Sequence, residues 1–411
     1  VGTRPVVSFT TKSVGSALAA LGSGGIATGL KITTSNPVVL MYGKLSSIGT
    51  GAYEAGSSHA TITVRNGILV VDSISGDSAS EAVASFTLYA TYDGINLPFV
   101  IATNTAISSP TVRSEQWKMW AAVVAYGTSS TLQIPITSAT INTGIDISPA
   151  HTRAASSPHP TFAAVMSVRP TISVSTNAIK TVLDVIGVSN LVATAFRVYL
   201  ASNEAGATTA SGSVHMMIAV NDPLVIFEGI APTHNQAVEA NFMAYGTYDG
   251  TNEPIALSTS QALPAASNLS ELYDCGPVMM SGTTFETQGW TFAPNNQLDH
   301  GGTSGEYRPT RAIVLRRGIE FGVTALDINA IGAFGEADTD VKLFLRKKDL
   351  GGATVADATE EHIEFSVPGA YIRPGAMSGS WGALAEGAYI VTPVYNGSDA
   401  VIAIDTGAAI G

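Results

Sequence analysis

The sequence predicts a mainly β protein: three tandem repeats of a β-sandwich-like unit with one short helix each, joined by long connectors or arms. Three observations predict it. The segments HATITVRNGILVV from His59, HMMIAVNDPLVIF from His215 and HIEFSVPGAYIRP from His362 align without gaps. A Tyr-(Asp/Asn)-Gly turn follows each, at Tyr92-Asp93-Gly94, Tyr248-Asp249-Gly250 and Tyr395-Asn396-Gly397, always 34 residues from His to Asp or Asn. The stretch after each His alternates apolar and polar residues. Self-similarity at a fixed spacing marks a repeat architecture, and period two with one wet face marks antiparallel strands.

Each copy opens with a strand and a helix. RPVVSFTTKSVGSALAALG (Arg4 to Gly22) matches RPTISVSTNAIKTVLDVIG (Arg169 to Gly187), and Arg308-Pro309 opens the third copy, with Ile328, Ile331 and Gly332 matching Leu18, Leu21 and Gly22. Thr176 is positioned to cap a helix whose Ile179, Val182, Leu183 and Ile186 share one face, with Gly187 past its end. The strand after His59 then turns Ala60, Ile62 and Val64 to one side, as Ile363, Phe365 and Val367 do after His362. Asp-Gly and Asn-Gly suit hairpin tips, because both residues tolerate positive φ. Ala84, Ala240 and Gly387, and Phe86, Phe242 and Tyr389, correspond before the turn; Thr103, Thr259 and Thr406, and Ile107, Leu263 and Ile410, correspond after it. The first two copies stay in register as far as Ser114-Glu115-x-Trp117 and Ser270-Glu271-x-Tyr273.

The predicted organisation is therefore body 1 at 1–108, a connector or arm at 109–168, body 2 at 169–264, a connector or arm at 265–307, and body 3 at 308–411. The connectors hold Trp117, Trp120 and Trp290, and loops so long without structure are rare. Met119–Val124 and Thr131–Ile136 read as strands, and the arms are expected to bury their tryptophans on a neighbouring subunit. The chain begins at Val1 and its first body lacks a preceding connector, which predicts that an N-terminal piece was removed.

Composition narrows function. Charged residues are 13% of the 411, against a usual ~25%, so the surface is uncharged and small-featured. Such a surface suits a protein covered by its neighbours, where buried ions would be costly. Net charge is −12 with 20 Lys and Arg, and Arg346-Lys347-Lys348 is the longest basic run. This argues against tight nucleic-acid binding, which draws on basic patches; passive passage of DNA stays open. No apolar run reaches membrane-spanning length, so no membrane insertion is expected. Cys275 is the only cysteine, which removes disulfides within the chain and cysteine metal sites. The sequons at Asn268 and Asn396 carry meaning only in a glycosylating host.

No motif carries chemistry. His59, His215 and His362 each lack a second ligand at metal spacing and read as structural strand starts. Asp93-x-x-Asn96, Asp249-x-x-Asn252 and Asn396-x-x-Asp399 offer too few oxygens for calcium and read as turn closers. GSGGIATG, from Gly22 to Gly29, has no Lys-Ser/Thr ending and reads as a helix exit, replaced by Gly187-Val188-Ser189-Asn190 in the second copy. Glu115 and Glu271 repeat without a partner acid. The expected catalytic, cofactor-binding and metal residues are none, the expected cofactors none, and the chain is read as no enzyme.

The Gly/Ala/Ser/Thr-rich β composition, the scarce charge, the duplicated YATYDGINLP and YGTYDGTNEP and the arm-like connectors resemble bacteriophage virion structural proteins. Tail-tube and capsid proteins are the most similar in style. That resemblance implies a non-enzymatic, self-assembling subunit of a tail tube or capsid coat, partnered by copies of itself and other structural subunits and located in the virion. The alternatives are a cell-surface fibre, layer protein or adhesin, and an extracellular carbohydrate-binding protein. Trp117, Trp120, Trp290 and Trp381 do not repeat between bodies, which counts against a sugar groove.

Overall fold

The computed structural model describes residues 4–46, 53–54, 56–106, 115–150, 158–187, 190–204, 209–265, 271–325, 335, 339–349, 351–378, 386–395, 397–398 and 400–411. Strand makes up 60% and helix 7%, in antiparallel sheets, so the fold is mainly β. Ile107, Ser114, Val188, Ser189, Asn268, Ser270, Ile328, Ile331, Gly332, Trp381, Asn396 and Asp399, and the side chain of Glu115, lie outside the described residues.

The first segment runs β1 (Val6–Thr11), α1 (Val14–Thr28), β2 (Leu30–Ile32), β3 (Val38–Tyr42), β4 (His59–Val64), β5 (Gly67–Asp77), β6 (Val83–Ala90) and β7 (Phe99–Thr105). Then come β8 (Glu115–Tyr126), β9 (Ser130–Pro135), β10 (Ser138–Asn142), β11 (Ile145–Ala150) and β12 (Phe162–Val168). The second segment holds β13 (Thr171–Thr176), α2 (Ile179–Ile186), β14 (Asn190–Val192), β15 (Ala195–Glu204), β16 (His215–Asn221), β17 (Leu224–Ile230), β18 (Ala240–Tyr245) and β19 (Ile255–Gln261). Next are β20 (Leu272–Met280), β21 (Thr283–Phe285), β22 (Thr287–Ala293), β23 (Gln297–Gly301) and β24 (Arg311–Arg316). The last described strands are β25 (Glu320–Ala325), β26 (Thr339–Lys348), β27 (His362–Ser378), β28 (Glu386–Pro393) and β29 (Ala403–Ala408).

In the first segment β1-β6-β5-β2 form one sheet and β3-β4-β7 another. In the second, β13-β18-β17-β14 and β15-β16-β19 pair. In the third, β25-β28-β27 and β26-β27-β29 pair, with the long β27 serving both. The opening strands meet their partners at Phe9↔Phe86, Val174↔Phe242 and Val323↔Tyr389.

The strands between the segments stitch them together. β10 pairs with β5 on one side and β13 on the other, and β22 pairs with β17 and β25. One ladder thus runs β1-β6-β5-β10-β13-β18-β17-β22-β25-β28-β27. Among the described residues β1 pairs with β6 alone, so no pairing returns to it from the far end of the ladder. The hairpin β8–β9 extends the second segment's other sheet through β15, and β20–β21 extends the third's through β26. Two-stranded hairpins β11–β12 and β23–β24 stand apart.

Several expectations are corrected here. The Tyr-Asp-Gly turns are not hairpin tips: β6 is already flanked by β1 and β5, so the chain crosses to the other sheet, where β7 pairs with β4. Asp-Gly chemistry sets the local turn, not which strands pair. The connectors are largely sheet rather than free arms, and Trp117 and Trp290 are buried in this chain's own core. Arg308-Pro309 does not open the third segment's strand; β25 begins at Glu320, while the Pro309 carbonyl accepts the Tyr248 N–H at 2.7 Å. Thr176 does not cap α2: it ends β13, its hydroxyl donating to the Pro135 carbonyl and accepting from Ala178 N–H. Gly22, at φ 74° and ψ 169°, breaks α1, yet helix resumes through Thr28, so GSGGIATG is more than an exit.

Candidate functional site

The positions that repeat can be followed into the structure, and several of them meet at the junctions between segments. Helix α1 of the first segment packs against β19 of the second, and α2 of the second against β29 of the third. Four apolar residues of α2, at i, i+3, i+4 and i+7, are buried as the periodicity predicts. Its outer edge reaches Thr406 on β29: Lys180 Nζ donates to the Thr406 carbonyl at 3.0 Å and hydroxyl at 2.9 Å, and that hydroxyl donates to Asp184 at 2.5 Å. Glu271, just before β20, accepts from the Thr181 N–H at 3.3 Å and from Tyr273 Oη at 3.3 Å, tying the helix start to the connector. Glu271 is thus a fixed structural acceptor.

A run of aromatic rings crosses the second junction. Phe242 touches Phe227, Phe227 stacks on Phe292 of β22, and Phe292 stacks on Phe321 of β25, with centroids 5.2, 5.4 and 4.8 Å apart. Trp290, also on β22, packs edge-on to Phe365 at 5.4 Å and donates from Nε1 to the Phe344 carbonyl at 3.2 Å. Each such ring pair adds about 0.5–1.5 kcal/mol beyond its buried area. The junction is packed like a domain core.

The three histidines do one job. His59 Nδ1 accepts the Lys44 N–H at 2.9 Å while Nε2 donates to the Glu54 carbonyl at 2.9 Å. His362 Nδ1 accepts the Lys347 N–H at 3.0 Å and Nε2 donates to the Ala356 carbonyl at 3.1 Å. His215 Nδ1 accepts the Ser202 N–H at 3.1 Å, and burial lowers its pKa below the ordinary 6.5. With Nδ1 as acceptor, each buried ring ties down the stretch of chain that precedes its own strand. Both ring nitrogens of His59 and His362 are therefore occupied by backbone.

The turns are closed from within. Asp93 Oδ1 accepts the N–H of Ile95 at 2.9 Å and of Asn96 at 2.6 Å, and Asn96 donates to Oδ2 at 2.9 Å. Asp249 does the same with Thr251 and Asn252. These bonds hold both carboxyls below the ordinary 3.8. Tyr92 and Tyr248 donate to the Gly94 and Gly250 carbonyls at 2.8 and 3.0 Å. Gly94, Gly250 and Gly397 all sit at φ 94°, which glycine adopts without steric cost.

One cluster was missed from sequence. Glu228 interrupts the apolar strand LVIFEGI, and near it Tyr245 and His300 meet edge to face at 5.4 Å, where β23–β24 joins the second segment. Burial raises Glu228 and Tyr245 and lowers His300, so all three favour their neutral forms. His300 Nε2 donates to the Gly246 carbonyl at 2.8 Å, anchoring the hairpin. A lone acid within an apolar run was the available signal. Cys275 is buried, and burial pushes its thiol up to about 11.

Among the described residues, no three His, Cys, Asp or Glu side chains converge on a metal-sized site. The shallow hollow beside Trp290 and Tyr389 is lined, among the described residues, by a single carboxylate, Glu386, with no His, Lys, Arg or Cys beside it. Among the described residues no helix is long and apolar enough to cross a membrane. Comparison with protein-family models gives no match, and comparison with curated proteins gives none either.

Proposed function

We propose that the chain is a self-assembling structural subunit of a virus particle, a tail-tube or capsid coat protein, built from three copies of one β-sandwich unit. One observation carries the reading: the residues kept in register across the copies serve scaffold. His59, His215 and His362 staple loops, and Tyr92 and Tyr248 with their Asp-Gly neighbours close sheet-to-sheet crossings. The shared pairing of each opening strand, with Phe86, Phe242 and Tyr389 as partners, supports the threefold repeat. On this reading the protein is not an enzyme, and its partners are copies of itself and other structural subunits.

The scarcity of charge, 13% of residues, supports extensive coverage by neighbours. Each subunit is expected to bury several thousand Å², well above the ~1,600 Å² of a standard interface. Light scattering and electron cryo-microscopy of the purified native protein test this. Closed rings, tubes or shells are expected. A stable 42.2 kDa monomer at micromolar concentration overturns it.

A further inference from the structure

We infer that copies of this chain associate head to tail, the third segment of one copy seated on the β3-β4-β7 sheet of the next. The inference rests on the assembly reading above and names its interface. It comes from positions that are buried inside the chain and open at its two end segments.

The receiving half lies on the first segment. Strand pairing puts Tyr42 where the second segment has Leu200 and the third Leu345, since their partners are Ala60, Met216 and Ile363. Tyr42 is 57% exposed, whereas Leu200 and Leu345 are both at 0%. Ile101 corresponds to Leu257, as their partners Ile62 and Ile218 show, and the two are 59% and 6% exposed. The cause is visible. The second segment's sheet is flanked by β8 and overlain by α1 of the segment before it, and the third's is flanked by β20 and met by α2. Among the described residues nothing pairs with the outer edge of β3 or packs a helix on β7. The free edge of β1 is the matching gap in the long ladder, for β13 and β25 there meet β10 and β22.

The giving half lies on the third segment. Met377 pairs with Gly387 as Ile74 pairs with Ala84, so Met377 holds the position of Ile74 in the first segment and Ile230 in the second. Ile74 and Ile230 are 0% and 2% exposed, next to β10 and β22; Met377 is 62% exposed. The chain therefore carries an open acceptor at one end and an open donor at the other, at positions that β8, β10, β20 and β22 and the helices α1 and α2 cover at its two internal junctions. A donor and acceptor of this kind on one subunit generate rings or filaments rather than closed pairs. Exposed apolar edge strands pair readily with other chains.

The test uses three variants of the 411-residue chain: Tyr42→Glu/Ile101→Glu, Met377→Glu, and Val192→Glu as an exposed control away from both halves. The wild type should sediment as an assembly of many copies, and so should the control. Each end variant alone should run as a 42.2 kDa monomer. Mixed in equal amounts, the two end variants should give a dimer of twice that mass and nothing larger, because one sound donor meets one sound acceptor. A wild type that assembles while the end variants assemble equally well overturns the inference and leaves the assembly reading standing. Monomeric end variants that give no dimer on mixing overturn the head-to-tail geometry. A monomeric wild type overturns both.

Discussion

Replacing His215 by alanine isolates what a loop staple contributes. The ring is buried, its Nδ1 accepts the Ser202 N–H at 3.1 Å, and Ser202 is itself buried. Removing the ring leaves that N–H without an acceptor in a place water reaches poorly, which costs about 1–3 kcal/mol. The void left by the imidazole adds ~1–2 kcal/mol on the scale of core truncations. A loss of about 2–5 kcal/mol is expected, confined at first to the strand pair β15–β16. At ~1.4 kcal/mol per decade, hydrogen exchange at the Ser202 amide should accelerate roughly 30- to 4,000-fold. Mass spectrometry of native-state exchange reads this peptide by peptide, with β1–β6 as the internal reference. His215→Gln, which keeps an acceptor, should recover most of the protection. Unchanged exchange at Ser202 in His215→Ala would refute the staple.

Four further outcomes are expected. Gly250→Val should destabilise by about 1–2 kcal/mol through positive φ alone, because a Cβ there meets nothing within 4 Å; urea denaturation of the variant measures it. Cys275 should resist thiol reagents in the native protein up to about pH 11 and react at once in denaturant, as a colorimetric thiol assay would report. His215 and His300 have lowered pKa values, so their contribution is complete above 6.5 and is lost as pH falls through the depressed values. Thermal melts from pH 7.5 to 5 should therefore show falling stability, less steep in His215→Gln/His300→Gln. Glu228 has the opposite sign: its pKa is raised, so its contribution is present below 4.5 and lost as pH rises. Glu228→Gln should gain on the wild type with rising pH in the same melts.

Legibility in the sequence followed the range of the interactions. Period-two alternation identified β4, β16 and the start of β27, and the positive-φ glycines were readable because Asp-Gly and Asn-Gly chemistry is local. The buried face of α2 was equally plain from Ile179, Val182, Leu183 and Ile186. Pairing was not legible where it joins residues far apart in the chain. Nothing near Ser138 marks β10 as a strand that bridges β5 and β13, and nothing near Trp290 says it will meet Phe365. The histidines were read as structural strand starts, but the backbone N–H groups they accept lie 13 to 15 residues back, in or just past the preceding strand, without a sequence signature. Glu228 was passed over because burial decides its character, and burial is a property of the folded sheet.

The bridging strands also set the order in which the chain can close during synthesis. β5 ends at Asp77, but β10, which covers its edge, begins at Ser138, 61 residues later. At ~5–20 residues per second the ribosome needs roughly 3–12 s to deliver it. β17 waits in the same way, from Ile230 to Thr287. Throughout each interval a nascent chain displays an unpaired strand edge beside those of its polysome neighbours, where local concentration is high. Slow codons or a cold shock within residues 78–138 would lengthen that window, so the yield of this protein should track the pace of translation as much as its final stability.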